Sequence, residues 1–456
     1  MKPSIPQGTR DFSAEVVRKR QFIFKTISTV FERYGYHPLE TPAMENLETL
    51  MGKYGEEGDR LIFRILNNGL DHPKKQEQAR VDFEKVLEGK NVPGISERAL
   101  KYDLTIPFAR YVAMNHGQLS FPFRRYQIQP VWRADSPQKG RYREFYQCDA
   151  DVVGSKSLLN EVELTSIYME AFALLKVPVE IKINSRKMLS ALANACGGQE
   201  YLTDITVAID KLDKIGIEKV KEEILRKGLT EEQYSIIEKY LHISGSPAEQ
   251  LEKAAALLGS EPLCEAAIAE IRFILDYADK LSSPESLFVD FTLARGLNYY
   301  TGIIFEVKAK GVKMGSIGGG GRYDELTATF GVPNIPGVGI SFGVDRIYDV
   351  MEELGLFPES LKSGARLLFF NLGEKETKFA FSLAQELRSK NVAAEIFHET
   401  AKFDKQFKYA EKKNIPFVAI IGSKEMESNT VMVKNLATGE QQSIPANELA
   451  AFFESK

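Results

Sequence analysis

The chain has 456 residues, 43% hydrophobic and 27% charged, with a formal net charge of −4. That length predicts about three domains with cores of ordinary size, and the charge balance excludes a global basic field while leaving room for a local anion site. Three widely spaced cysteines, Cys148, Cys196 and Cys264, form no CxxC pair; they speak against a disulfide framework or zinc site and for a reducing compartment.

The N-terminal MKPSIPQGTRDF has no apolar leader core, and no apolar run approaches a membrane span. A soluble, cytoplasmic protein without a membrane partner is expected. From Ser13 to Tyr34, the helical spacing of Phe24, Ile27, Phe31 and Tyr34 predicts an amphipathic helix stopped by Gly35. YHPLETPAM then reads as extended, with Pro38 and Pro42 suited to the edge or ends of a strand. Asp71 to Leu100 is polar and reads as a mobile surface insertion with one short helix.

KYDLTIPFARYV, Lys101 to Val112, closes a strand and opens a helix, with Thr105 as its cap and Pro107 in its first turn. Asp103, just ahead, is either an ordinary turn carboxylate or a functional one. In YQIQPVWRADSPQKGRYREFYQCDADVV, Tyr126 to Val153, the DSPQKG stretch is a hairpin-type loop. Alternation then puts Arg141, Arg143, Phe145, Gln147, Asp149 and Asp151 on one strand face. Guanidiniums at one end and carboxylates at the other suit an elongated ligand; a solvated face against a neighbouring strand is the alternative.

A helix is predicted near Leu158 to Leu175, and residues 182–288 read as mostly helical and rich in Lys, Glu and Leu. In LARGLNYYTGIIFEV, Leu293 to Val307, apolar strands are interrupted by an arginine and a Tyr-Tyr pair. GGGGRYD, from Gly318, lacks the Lys-Ser or Lys-Thr of a phosphate-binding loop. It would either let a flat ligand lie against backbone or make a flexible turn. Arg346 opens a helix carrying Val344, Ile347, Met351 and Leu354; a cation there opposes the helix dipole and points to a bound anion, or is a surface arginine.

After FPESLKSGA, which reads as a linker, strand, helix, strand, helix and strand alternate, the pattern of an α/β domain with parallel strands. Lys405, Lys408 and Lys412 fall near one face of its second helix, and Phe403 and Phe407 read as core residues. The five histidines form neither a metal spacing nor a Ser-His-Asp pattern, so no protein metal site is assigned.

Taken in order, the proline-bearing strand after a long helix, the arginine strand-loop-strand and the glycine strand with its helix-borne arginine resemble the three motifs of class II aminoacyl-tRNA synthetases. LARGLNYYTG and GGGGRYD resemble the two signature peptides of the histidyl-tRNA synthetase family, and the terminal segment resembles that family's anticodon-binding domain. The resemblance implies an α+β fold with a six-stranded antiparallel catalytic sheet flanked by helices. The catalytic core would comprise residues 1–181, with a polar insertion at 71–100, and residues 289–358; a helical subdomain would occupy 182–288 and the anticodon-binding α/β domain 364–456.

It also implies ATP-dependent ligation of L-histidine to histidine tRNA in a homodimer joined partly through Tyr34 to Pro42, with Mg2+ held mainly by ATP phosphates and water. Arg133, Arg141, Arg143 and Arg346 would hold ATP. Asp103, Thr105 and Gln147 would receive the α-amino group, and Asp151 and Tyr300, with Tyr299 nearby, would read the imidazole. Arg295 would act with Arg133 on the reacting carboxylate and α-phosphate, where an oriented cation supplies about 3–4 kcal/mol. Two positions depart from the family's usual pattern: Asp135 stands for a glutamate and Asn298 for an aspartate. A catalytically silent, histidine-sensing paralogue is the alternative, although such paralogues typically lack the terminal domain.

Overall fold

The computed structural model describes residues 2–294 and 299–454, apart from the side chains of Glu56 and Glu57. It divides into two units, Met1–Arg10 with Arg20–Leu356, and Asp11–Lys19 with Phe357–Lys456. Among the described residues no helix is long and apolar enough to cross a membrane.

The first helix, α1, spans Ala14–Arg33. Ile23, Ile27, Val30 and Phe31 are its buried apolar positions, while Phe24 and Tyr34 sit at the margin; the apolar stripe is rotated slightly from the one expected. The first unit is built on strands β1 (His37–Pro38), β2 (Phe123–Trp132), β3 (Glu144–Val153), β4 (Val179–Ser185), β5 (Leu287–Val289), β6 (Ile303–Ala309), β7 (Gly318–Arg322) and β8 (Gly337–Gly343). Their order is β1-β2-β3-β8-β7-β6-β4-β5. Every pairing from β2 to β4 is antiparallel, whereas β1 joins β2, and β5 joins β4, in parallel.

The sheet is therefore eight-stranded and mixed, a correction to the six antiparallel strands expected. The two added edges are two and three residues long, too short for alternation to reveal, and Pro38 fits an edge because it has no N–H to donate.

Helix α2 (Thr105–Asn115) and helix α3 (Leu159–Leu174) follow β1 and β3 in the chain. α3 is apolar nearly all round and correspondingly buried. Its Tyr168 hydroxyl lies 3.0 Å from the Gly319 carbonyl and 2.9 Å from that of Ser341. Phe342 meets Phe31 of α1 and Phe172 of α3, so these helices cover one face of the sheet. The glycine run is a central strand, not a turn: a Cβ on Gly320 would fall on the Gly339 carbonyl oxygen, and one on Gly321 would meet the Tyr300 ring. Between β4 and β5 a run of helices extends from Arg186–Ala195 to Pro262–Leu275, and helix α4 (Val344–Glu353) follows β8.

The polar stretch from Asp71 carries a helix at Gln76–Leu87, but its last residues, Arg98–Leu100, are the central strand of a three-stranded sheet with Met44–Asn46 and Arg64–Ile65. One buried residue, Ala99, anchors that strand, which composition alone conceals.

In the second unit, β9 (Leu367–Phe369) is flanked in parallel by β10 (Ala394–Ile396) and β11 (Phe417–Ile420). An antiparallel hairpin, β12 (Thr430–Asn435) and β13 (Gln441–Pro445), extends the sheet beyond the expected parallel strands. Phe407 packs against Phe370, but Phe403 is 43% exposed, contrary to its reading as core.

Candidate active site

On the sheet face opposite Phe342 a cavity of about 710 Å³ opens. Gln147 of β3, Gly318 and Gly319 of β7 and Ser341 of β8 line it, and Arg133, Arg141 and Arg346 reach it from the surrounding loops and α4. Arg133 follows β2; its Nε donates to the Tyr102 carbonyl at 3.1 Å, and its guanidinium lies 4.3 Å from the Tyr102 ring centroid and 5.3 Å from that of Phe145. Stacking between two rings fixes the plane of a guanidinium without neutralising it. Arg346, in the first turn of α4, donates to the carbonyls of Gly140 at 2.7 Å and Ser316 at 2.6 Å. Arg141 is half-exposed, 3.5 Å from Asp135.

Arg143 is not part of this lining. Its side chain reaches the carbonyls of Asp135 at 3.2 Å and Gln7 at 3.4 Å. The expected shared face with Arg141 fails because β3 begins only at Glu144, so strict alternation does not extend back through the loop.

Behind the cavity lies a buried layer of acids and phenols. Asp103 Oδ1 accepts from the Tyr54 hydroxyl at 3.0 Å and from the Ile106 N–H at 3.1 Å. Asp103, not Thr105, therefore caps α2; Thr105 is already helical, and its hydroxyl has no hydrogen bond among the described residues. Gln147 donates to the Ser341 hydroxyl at 2.8 Å, and its buried Oε1 has no partner among the described residues.

Asp151 Oδ1 accepts from Tyr323 at 2.5 Å, and its Oδ2 lies 2.8 Å from Arg125 Nη2. The second approach is off-axis and leaves Oδ2 without a directed hydrogen bond, so the contact is charge pairing. Tyr299 stands 4.8 Å from Tyr300 and edge-on to Tyr323, ring centroid to ring centroid. Tyr300, Asp103 and Asp151 are buried. Arg295 and Asn298 lie outside the described residues.

Burial dominates the acid-base behaviour of this layer. It raises the carboxyl of Asp103 against the pull of the Ile106 N–H and Arg133, and that of Asp151 against Arg125 and Tyr323. It pushes Asp149 up to about 7, with Arg125 opposing and Asp151 adding to the rise. Tyr54, Tyr299 and Tyr323 are all raised by burial, so they are hydrogen-bond donors at neutral pH.

Sequence reasoning passed over Tyr54, Tyr102, Tyr323 and Arg125. Tyr323 stood within GGGGRYD, but its contact spans 172 positions. Among the described residues no cluster of three or more His, Cys, Asp or Glu side chains is arranged to hold a metal ion.

A predominantly antiparallel sheet, with ring-stacked and helix-borne arginines over a glycine strand, is the arrangement expected of a class II aminoacyl-tRNA synthetase. Residues 91–347 match the family model for histidyl-tRNA synthetase, and residues 367–456 match that of an anticodon binding domain. The chain is 51% identical to the histidine--tRNA ligase of Flavobacterium johnsoniae, over 97% of each chain. It is 52% identical to that of Christiangramia forsetii, over 98% of each. The crystal structure of histidyl-tRNA synthetase from Nostoc sp. PCC 7120 superposes with a TM-score of 0.83 at 30% identity, covering 100% of this chain and 99% of that one. The chain belongs to the histidyl-tRNA synthetase family.

Proposed function

We propose that this enzyme attaches L-histidine to its cognate tRNA at the expense of ATP. The histidine carboxylate attacks the ATP α-phosphorus, pyrophosphate leaves, and the histidyl group of the adenylate then passes to the 3′-terminal adenosine of tRNA. The observation that carries this reading is the pairing, in a chain of this family, of an arginine-rimmed cavity with a buried layer of carboxylates and phenols.

A carboxylate is already ionised at neutral pH, so the first step needs no general base. It needs alignment, and cations where charge develops on the phosphoryl oxygens. Arg133 and Arg346 suit that role because ring stacking and carbonyl bonds hold their planes in advance; Arg141 would contribute to ATP binding and Arg295 to the reacting groups. Magnesium would enter on the ATP phosphates and supply further charge neutralisation there.

The α-amino group would be received by Asp103, Thr105 and Gln147, for which the unpartnered Gln147 Oε1 is a ready acceptor. Neutral imidazole presents one donor and one acceptor. Asp151 Oδ2 would accept from its N–H, while a phenol among Tyr299 and Tyr300 would donate to the other nitrogen. An analogue lacking either group would strand buried polar atoms, giving about 10⁴-fold rejection.

Residues 1–181 and 289–358 would act as one catalytic core, with 71–100 and 182–288 as insertions and 364–456 as the anticodon-binding domain. The working form would be a cytoplasmic homodimer. The test is ATP-dependent incorporation of labelled histidine into acid-precipitable tRNA. Charging of histidine tRNA is expected; adenylate formation without any transfer to tRNA would overturn the second step.

A further inference from the structure

Among the described residues, Arg125 is the one fully buried arginine in the set of largest core side chains, and nothing in the steps above uses it. It sits on β2 directly opposite Asp151 of β3 in the strand register. Its Nη2 lies 2.8 Å from Asp151 Oδ2 and donates to the Leu104 carbonyl at 3.2 Å; its Nη1 donates to Gln127 Oε1 at 3.2 Å. The guanidinium carbon stands 4.2 Å from the Phe108 ring centroid, on the helix that Asp103 caps. Gln127 is tied in turn to Thr41 and Gln129.

Burying a guanidinium is costly unless it is paired and hydrogen-bonded. Here its partners come from both halves of the candidate histidine site. Leu104 lies between Asp103 and Thr105, the candidate amino-group turn, and Asp151 is the candidate imidazole reader. One rigid planar group thus spans the two.

We propose that Arg125 is a positioning residue for histidine: it fixes the separation of the amino-group turn and the imidazole-reading carboxylate, and so sets selectivity for the amino acid without touching ATP. This rests on the histidine-ligating reading of the site. A fork of fixed geometry suits the task where a lysine, a single point charge on a flexible stem, does not. Asp151 Oδ2 pairs with Arg125 in charge but takes no directed hydrogen bond from it.

The test is histidine-dependent pyrophosphate exchange by the full-length enzyme, with the KM for histidine and for ATP measured separately. Arg125→Met should raise the histidine KM about tenfold or more, the effect of a lost hydrogen bond to a charged group, and leave the ATP KM within about twofold. Should that variant not fold, Arg125→Lys carries the same expectation. The double variant Arg125→Met with Asp151→Asn removes both buried charges, and its histidine KM should fall short of the product of the two single effects.

A folded variant with unchanged histidine KM, or with both KM values raised alike, would overturn the proposal. Multiplicative single effects in the double variant would do the same. Absence of histidine-dependent exchange in the unsubstituted enzyme would instead overturn the ligase reading on which the proposal stands.

Discussion

The rim and the inner layer of the cavity solve opposite electrostatic problems. At the rim, Arg133 is braced by two rings and a carbonyl, and Arg346 by two carbonyls. Ring partners such as those of Arg133 orient a cation without neutralising it. In the inner layer, Asp103, Asp149 and Asp151 are buried among phenols beside Arg125. There, charge is compensated within the protein, and Gln147 Oε1 and Asp151 Oδ2 are buried without a directed hydrogen bond among the described residues. Under the function proposed above, rate falls to the rim and recognition to the layer.

The largest effect expected is at the rim. Arg133→Ala should lower kcat of histidine-dependent exchange by about 10²–10³-fold, the cost of one preorganised donor, in steady-state assays at saturating substrates. A change confined to the histidine KM would break the division. Next, Gly320→Ala strikes the floor that rim and layer share. The added methyl would meet Gly339 backbone, which cannot swing aside, so a loss of about 1–3 kcal/mol is expected in denaturant melts.

Tyr323→Phe removes the hydroxyl that donates to Asp151. It should raise the histidine KM about tenfold with little change in kcat, sharpening the comparison with Arg133. The smallest effect concerns Asp149. Because burial raises its carboxyl to about 7 in the folded chain, the stability due to its protonated form is complete below about pH 4 and is lost as pH rises through about 7. Asp149→Asn cannot ionise, so its Tm relative to the unsubstituted protein should climb between about pH 4 and pH 7 and level off above that. A constant offset would show that Asp149 does not titrate in that range.

Much of the framework was legible wherever periodicity ran long. The buried face of α1 repeats apolar spacing over several turns, and β2 and β3, ten residues each on either side of the hairpin loop, are long enough to read as strands. What escaped was short or non-local. The strands Leu287–Val289 and Arg98–Leu100 are fixed by neighbours far along the chain, and a few residues cannot display a period; the edge strand at His37–Pro38 was legible from its prolines.

In the site, Gln147 stood out on its strand face and Arg346 in the first turn of its helix, whereas Arg133 entered only through the family resemblance. Asp103 as a helix cap was missed because Thr105 offered a plausible cap in sequence, while the chain places the turn two residues earlier. Arg125 looked like one more basic residue in FRRYQIQ; only the register opposite Asp151 reveals a buried ion pair. Phe403 read as core because helical spacing reports a shared face and not the depth of each residue on it.

The measurement that bears most directly on the account is exchange of labelled pyrophosphate into ATP, run with magnesium and each of the twenty amino acids in turn. Exchange supported by histidine alone is the predicted result, since it requires the arginine rim and the recognition layer to act on one substrate. Exchange with a different amino acid, or none with any of them from a folded enzyme that binds histidine, would contradict it.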